Sequence, residues 1–244
     1  DNCGVQYCPN FPSITPFPQE GESSYMETWK KICSNFAVYD YAENFGSYIT
    51  NFDDFNRLQP TLQYFYEAGT NSYYSQQCLE NLTNSDWSRY HMYILSNLLW
   101  DVHADVNALT EDWFEHYYRD AAPYMLEWFY SYRAWSEISG RAVGAVRFPL
   151  SECRNYDRLA QKAYDAIFKY KYTDPELYQK LYDRINLETI SYRFSMLDQY
   201  QYAIENLKAY AIQFRNDCGK FGIGMFNIYS GIDTWYANAG LADL

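Results

Sequence analysis

The sequence predicts an α/β region followed by an all-α region, and three observations carry that prediction. Short apolar runs of strand type alternate with helical patterns up to Trp100. Beyond Trp100 the strand signal vanishes. Apolar and aromatic residues then recur at the helical period of about 3.6 residues.

Taken in order, Cys3 to Cys8 reads as a short extended run, closed by a Pro-rich loop from Pro9 to Pro18 in which regular structure is disfavoured. Met26, Trp29 and Cys33 recur at helical spacing behind Ser23 and Ser24, which are candidate caps. Phe36 to Tyr41 reads as a buried strand. Leu58, Leu62, Phe65 and Tyr66 mark a helix that Pro60 can start and Gly69 can stop. Asn71 to Gln76 forms the third strand, followed by a helix capped near Asn84 or Ser85 with Trp87, Tyr90, Ile94, Leu95 and Leu98 on one stripe.

Strand-helix alternation of this kind implies a parallel sheet with helical crossovers, covered on both faces. Three strands alone leave open edges. In an eight-stranded (β/α)8 TIM-type barrel they would be units six to eight, with about five upstream units outside this chain. Asp1 opens the chain without a Met or a charged-then-apolar leader, so the start reads as a processing site or a cut in a longer chain.

In the second region Asp105 can cap a helix bearing Val106, Leu109, Trp113 and Tyr117, and Asp120 can cap the next, with Tyr124, Trp128 and Tyr132. Gly140 to Pro149 breaks the pattern, which Leu159, Ala163, Ile167 and Tyr170 resume. Asp174-Pro175 combines a cap with Pro at the first helical position, and a last stripe through Ile204, Leu207, Ala211 and Phe214 ends at Gly219. The predicted organisation is a partial TIM-type barrel over 1–119, a helical domain over 120–218 and an irregular tail over 219–244 that can pack back onto the body.

Composition excludes several functions. A net charge of −12, with 31 acidic against 19 basic residues and no basic stripe, disfavours nucleic acid and anionic membranes as partners. No apolar run reaches the roughly 20 residues of a membrane span. Six cysteines without a C-x-x-C pair, and three histidines (His91, His103 and His116) without metal-ligand spacing, predict no metal site. No nucleotide fingerprint is present, so no cofactor is expected. The outlier is aromatic content, with 28 Tyr, 15 Phe and 7 Trp. Such rings stack on sugar faces while their polar tips bond sugar hydroxyls, although the helical spacing makes most of them packing residues.

Three segments together resemble a known family: Val38-Tyr39-Asp40-Tyr41-Ala42-Glu43-Asn44-Phe45; Leu58-Gln59-Pro60 through Tyr66-Glu67-Ala68-Gly69; and Leu98-Leu99-Trp100-Asp101 with Ala104-Asp105-Val106 and Tyr117-Tyr118. In order and spacing they are similar to bacterial proteins with an uncharacterised glycosidase-like barrel domain, related to α-glucuronidase and β-N-acetylhexosaminidase barrels. The resemblance covers about residues 1 to 135. One departure stands out: where the family shows Phe-Glu-Gln in the third strand, this chain has Tyr74-Ser75-Gln76.

The resemblance implies a glycoside hydrolase acting on oligo- or polysaccharide outside the cytoplasm (secreted, periplasmic or at the cell surface), with the N-terminal part of the same barrel completing the site. Glycoside hydrolysis ordinarily needs paired carboxyl groups, placed in barrels at the C-terminal ends of strands. Asp40 and Glu43 are the candidate catalytic carboxylates, and Tyr7, Tyr39, Tyr41, Asn44, Tyr74, Ser75 and Gln76 the candidate substrate-binding residues. For Asp40 the alternative is a structural role, bonding backbone N–H groups and capping the loop. Trp100-Asp101 reads as structural. Two other functions stay open: a non-catalytic carbohydrate-binding or scaffolding module with a decayed site, which Ser75 favours, and a helical partner-binding domain.

Overall fold

Along Phe36–Ala42 buried and half-buried residues alternate strictly, and that period of two sets the architecture of the first region. A computed structural model of the chain describes residues 4–9, 17–18, 22–42, 44–50, 53–77, 87–139 and 147–242. Strand β1 (Val5–Tyr7) is followed by helix α1 (Glu22–Lys30), β2 (Phe36–Ala42), α2 (Phe55–Glu67), β3 (Ser72–Gln77) and α3 (Ser88–Trp100). The three strands form one parallel sheet in the order β1-β2-β3, with Tyr7 opposite Val38 and Asp40 opposite Ser75. Among the described residues no barrel closes, so β1 and β3 are edges.

One face of the sheet is packed. Phe17, Met26, Phe36, Val38 and Phe65 form its buried cluster, with Val5, Tyr7, Tyr64 and Tyr73 against it. Ala37, Tyr39 and Tyr41 point from β2 to the other face and are half-buried.

Helix α2 begins at Phe55, five residues before Pro60, which lies inside the helix rather than at its start. The start is fixed by acidic residues instead: the Asp53 carboxylate accepts the Phe55 N–H at 3.3 Å, and Asp54 precedes the first turn, where negative charge is favoured. Pro60 points outward, so the hydrogen bond it cannot make is lost on the solvent side. The expected caps Asn84 and Ser85 and residues 140–146 lie outside the described residues.

The second region is helical: α4 (Val106–Tyr118), α5 (Ala122–Ser139), α6 (Leu150–Ile167), the short α7 (Tyr170–Thr173), α8 (Pro175–Gln199) and α9 (Leu207–Lys220). Asp105 caps α4 through the N–H groups of Asn107 and Ala108, and Asp174 caps α8 through that of Leu177. Asp120 is not a cap. It sits in a single 3-10 turn, Arg119–Ala121, and its carboxylate pairs with Lys169 and accepts the Tyr170 hydroxyl.

Helix α8 is the axis of this region: every residue from Asn186 to Ser195 is buried, as befits a helix surrounded on all sides. Around it Trp87, Phe114, Trp128, Phe129, Tyr132 and Tyr156 belong to one cluster that also includes Phe55, Leu58 and Leu62 of α2. The expected division at residues 119 and 120 therefore falls inside a continuous core.

The expected irregular tail is ordered. It carries a two-stranded antiparallel hairpin, β4 (Met225–Asn227) and β5 (Ser230–Gly231), and helix α10 (Ile232–Asn238). It does pack back: Trp235, Tyr236 and Leu241 share a cluster with Phe194, Phe214 and Ile49. Its backbone also meets the loop after β2, where the Tyr48 N–H donates to the Phe226 carbonyl and the Ile228 N–H to that of Phe45.

Candidate functional site

Strand alternation divides the sequence-predicted residues between two environments. Asp40 leaves β2 on the helix-covered face and is only 2 % exposed. Burying a carboxylate demands a partner, and Arg57 from α2 supplies it in a two-pronged contact: Nη1 donates to Oδ1 at 3.2 Å and Nη2 to Oδ2 at 2.9 Å. The Tyr73 hydroxyl donates to the same Oδ2 at 2.6 Å. Nη2 of Arg57 also donates to the Tyr41 carbonyl, tying α2 to the end of β2.

The network continues inward. Nε of Arg57 stands 3.6 Å from the Asp54 carboxylate, whose Oδ1 is 2.8 Å from Nε2 of the buried His91. Burial alone would raise the Asp54 pKa, but His91 and Arg57 outweigh it and hold the group below the usual carboxylate range. Burial pushes the Tyr73 hydroxyl well up, and the Asp40 carboxylate pushes it further. Tyr73 is thus a neutral donor at neutral pH.

Three other candidates join Asp40 away from the open face. Tyr7 packs on Phe17 and Phe65, Ser75 lies in register with Asp40 with its Oγ buried and without a hydrogen-bond partner among the described residues, and Asn44 is buried, its Nδ2 donating to the Thr50 carbonyl at 3.0 Å. Glu43 lies outside the described residues.

Tyr39, Tyr41, Tyr74 and Gln76 come together on the opposite face. The rings of Tyr39 and Tyr74 lie 4.7 Å apart and those of Tyr39 and Tyr41 5.1 Å, while the Tyr39 hydroxyl donates to Oε1 of Gln76 at 2.8 Å. Tyr74 is 54 % exposed. This patch is aromatic, its rings tilted by 36° and 58° to one another, and it is edged with hydroxyl and amide groups, a surface suited to a sugar ring. Asp40 does not contribute to it.

Sequence reasoning missed Arg57, the residue that decides what Asp40 does. The signal was a charged side chain next to Leu58 in the first turn of a helix with an apolar stripe, three and four residues beyond the Asp53-Asp54 pair and so facing it. Trp100, one of the residues carrying the resemblance, is 93 % exposed, and Asp101 beside it turns the chain by accepting the His103 N–H. Among the described residues no group of three or more His, Cys, Asp or Glu is placed to hold a metal, and no helix is long and apolar enough to cross a membrane. Cys153 and Cys218 are buried free thiols, pushed up to about 12 by burial.

Asp53 gives a test of these electrostatics. Burial raises its pKa to about 6 despite Arg133, whose Nε is 3.5 Å away. The folded state therefore holds a proton that the unfolded state has lost between about pH 4 and pH 6. Above pH 6 both states are ionised and the full cost of burying the charge remains; below pH 4 both are protonated and it vanishes. Asp53→Asn keeps the acceptor for Phe55, so it is expected to stabilise the fold by about 1–3 kcal/mol at pH 7.5 and by almost nothing at pH 3.5. Equal effects at both pH values in denaturant titrations would contradict the burial argument.

These features define an α/β protein with a three-stranded parallel sheet, a mostly helical second region, and a polar-aromatic patch on the sheet face away from the helices. Residues 7–130 match the model of the domain of unknown function DUF4838, and the chain belongs to that family. No curated protein and no solved structure matches the chain.

Proposed function

We propose that this chain binds carbohydrate, and that Tyr39, Tyr41, Tyr74 and Gln76 are the binding surface. The observation that carries the reading is their convergence on one sheet face, with the Tyr39 hydroxyl fixing the Gln76 amide beside the exposed ring of Tyr74. Parallel strands ordinarily have both faces covered, and here the second face is only half-buried along β2 and, among the described residues, β1 and β3 are sheet edges. That favours a place within a glycosidase-like (β/α)8 barrel, with further strands of the same protein completing it and the patch lining its interior. A glycan ligand favours a secreted, periplasmic or cell-surface location.

Between hydrolysis and binding without catalysis, the ion pair of Asp40 favours binding. Asp40 is 2 % exposed and its oxygens already accept three hydrogen bonds, two from Arg57 and one from Tyr73, which leaves the group neither the exposure nor the basicity that a nucleophile or general base requires. A hydrolytic centre on this fold would need its carboxylates from elsewhere.

The test is titration of the protein with an oligosaccharide panel containing uronic acid and N-acetylhexosamine units, beside Tyr74→Ala. Losing the exposed ring is expected to weaken binding by about 1–2 kcal/mol, roughly tenfold, with the melting temperature unchanged. Failure of every saccharide to bind, or equal affinity in the variant, would remove the proposal. Hydrolysis of aryl glycosides that disappears in a folded Asp40→Asn variant would return Asp40 to a catalytic role.

A further inference from the structure

A depression of about 300 Å³ lies between the start of α3, the middle of α8 and the end of α9, far in sequence from the sheet residues discussed above. Four of the chain's 19 basic side chains line it: Arg89, Lys180, Arg184 and Lys220. In a protein of net charge −12 such convergence from three helices runs against the average field.

Stability does not account for it. Lys180 and Arg184 stand one turn apart on α8, a spacing at which like charges repel. Two acids moderate the charge. Asp183 is paired with Lys220 at 2.5 Å, while Glu188 is buried and accepts from the Trp87 N–H and the Tyr118 hydroxyl. Arg89 and Lys180 are exposed and have no ion-pair partner among the described residues. The positive charge at the mouth of the depression is left uncompensated.

The wall of the depression is built in advance of any ligand. The Arg184 guanidinium lies 3.9 Å over the Tyr117 ring and donates through Nη1 to the Tyr117 carbonyl at 2.5 Å, which fixes its plane. Phe221 and Leu187 add apolar surface beside it. A fixed guanidinium flanked by the exposed Arg89 and Lys180 and by an aromatic wall suits a tetrahedral oxyanion. The volume suits a monosaccharide-sized molecule.

We infer that this depression is a binding site for a small molecule bearing a phosphate or sulfate group. Calorimetric titrations of the whole chain with inorganic phosphate, inorganic sulfate and glucose 6-phosphate, at an ionic strength of about 20 mM, test it. The phosphate and sulfate arms separate the two sources of the oxyanion. Saturable binding is expected, weakened at least tenfold in Arg89→Gln/Lys180→Gln and kept in a control pair, Lys171→Gln/Lys208→Gln, of exposed lysines outside the depression. Asp183→Asn, which removes the acid holding Lys220, is expected to tighten binding several-fold, a gain that misfolding cannot imitate. No saturable binding of any probe, equal weakening by both double variants, no change in either, or the same heats from chloride would each overturn the inference.

Discussion

Arg57→Met is expected to destabilise the fold by about 3–5 kcal/mol, because it strands the Asp40 carboxylate in a site only 2 % exposed. Met replaces the aliphatic stem of Arg57 but not its guanidinium, so a small cavity adds to the electrostatic loss. What is lost is the two-pronged contact to Asp40, the bond to the Tyr41 carbonyl and the positive charge beside Asp54. For a chain of this size the melting temperature is expected to fall by roughly 10 °C. The companion double variant, Asp40→Leu/Arg57→Met, removes both charges together and should recover a large part of the loss, since uncharged packing replaces buried pairs at little cost. Denaturant unfolding of the two variants decides the matter. If Arg57→Met lies within 1 kcal/mol of the parent protein, water must reach Asp40, and the case against its catalytic role weakens with it.

That pair also shows how far a sequence can be read. The parallel sheet was legible because β2 is a short β-rich run between helical patterns, and the caps of α4 and α8 because Asp105 and Asp174-Pro175 act through neighbouring backbone N–H groups. Local chemistry announces itself locally. Pro60 misled because Asp53 accepts the Phe55 N–H and so starts α2 five residues earlier, and Arg133 and His91 from distant helices hold Asp53 and Asp54 there. The tail was illegible for a related reason: its hairpin and α10 are short, and Phe194, Phe214 and the loop after β2 hold them from afar. For the candidate site, strand alternation implies from the sequence that only about half of the candidate residues share a face. The alternation is visible in Tyr39-Asp40-Tyr41, yet which face carries the helices follows only from where Arg57 and Phe65 pack.

Trp87→Ala should cost as much as the loss of Arg57 and by a different route. Trp87 is the residue before α3, held at φ 55° in the left-handed region that a bulky side chain rarely adopts. Two contacts hold it there. Its backbone N–H donates to the buried Glu188 carboxylate on α8 at 2.6 Å, and its indole meets Trp128 edge-on at 5.6 Å and Phe129 at 5.2 Å. Alanine keeps the first contact and the backbone strain but gives up the second, leaving a cavity the size of an indole. The expected loss is about 3–5 kcal/mol. Because Trp87 opens a helix of the α/β region while Trp128 and Phe129 belong to α5, that loss should be felt by both regions at once: one cooperative transition, shifted as a whole, whether followed by tyrosine absorbance or by helical ellipticity. Trp87→Phe, which refills part of the box, should recover part of the shift. Two separated transitions, with only one displaced, would mean that the regions on either side of residue 119 fold independently and that their shared aromatic cluster contributes little to holding them together.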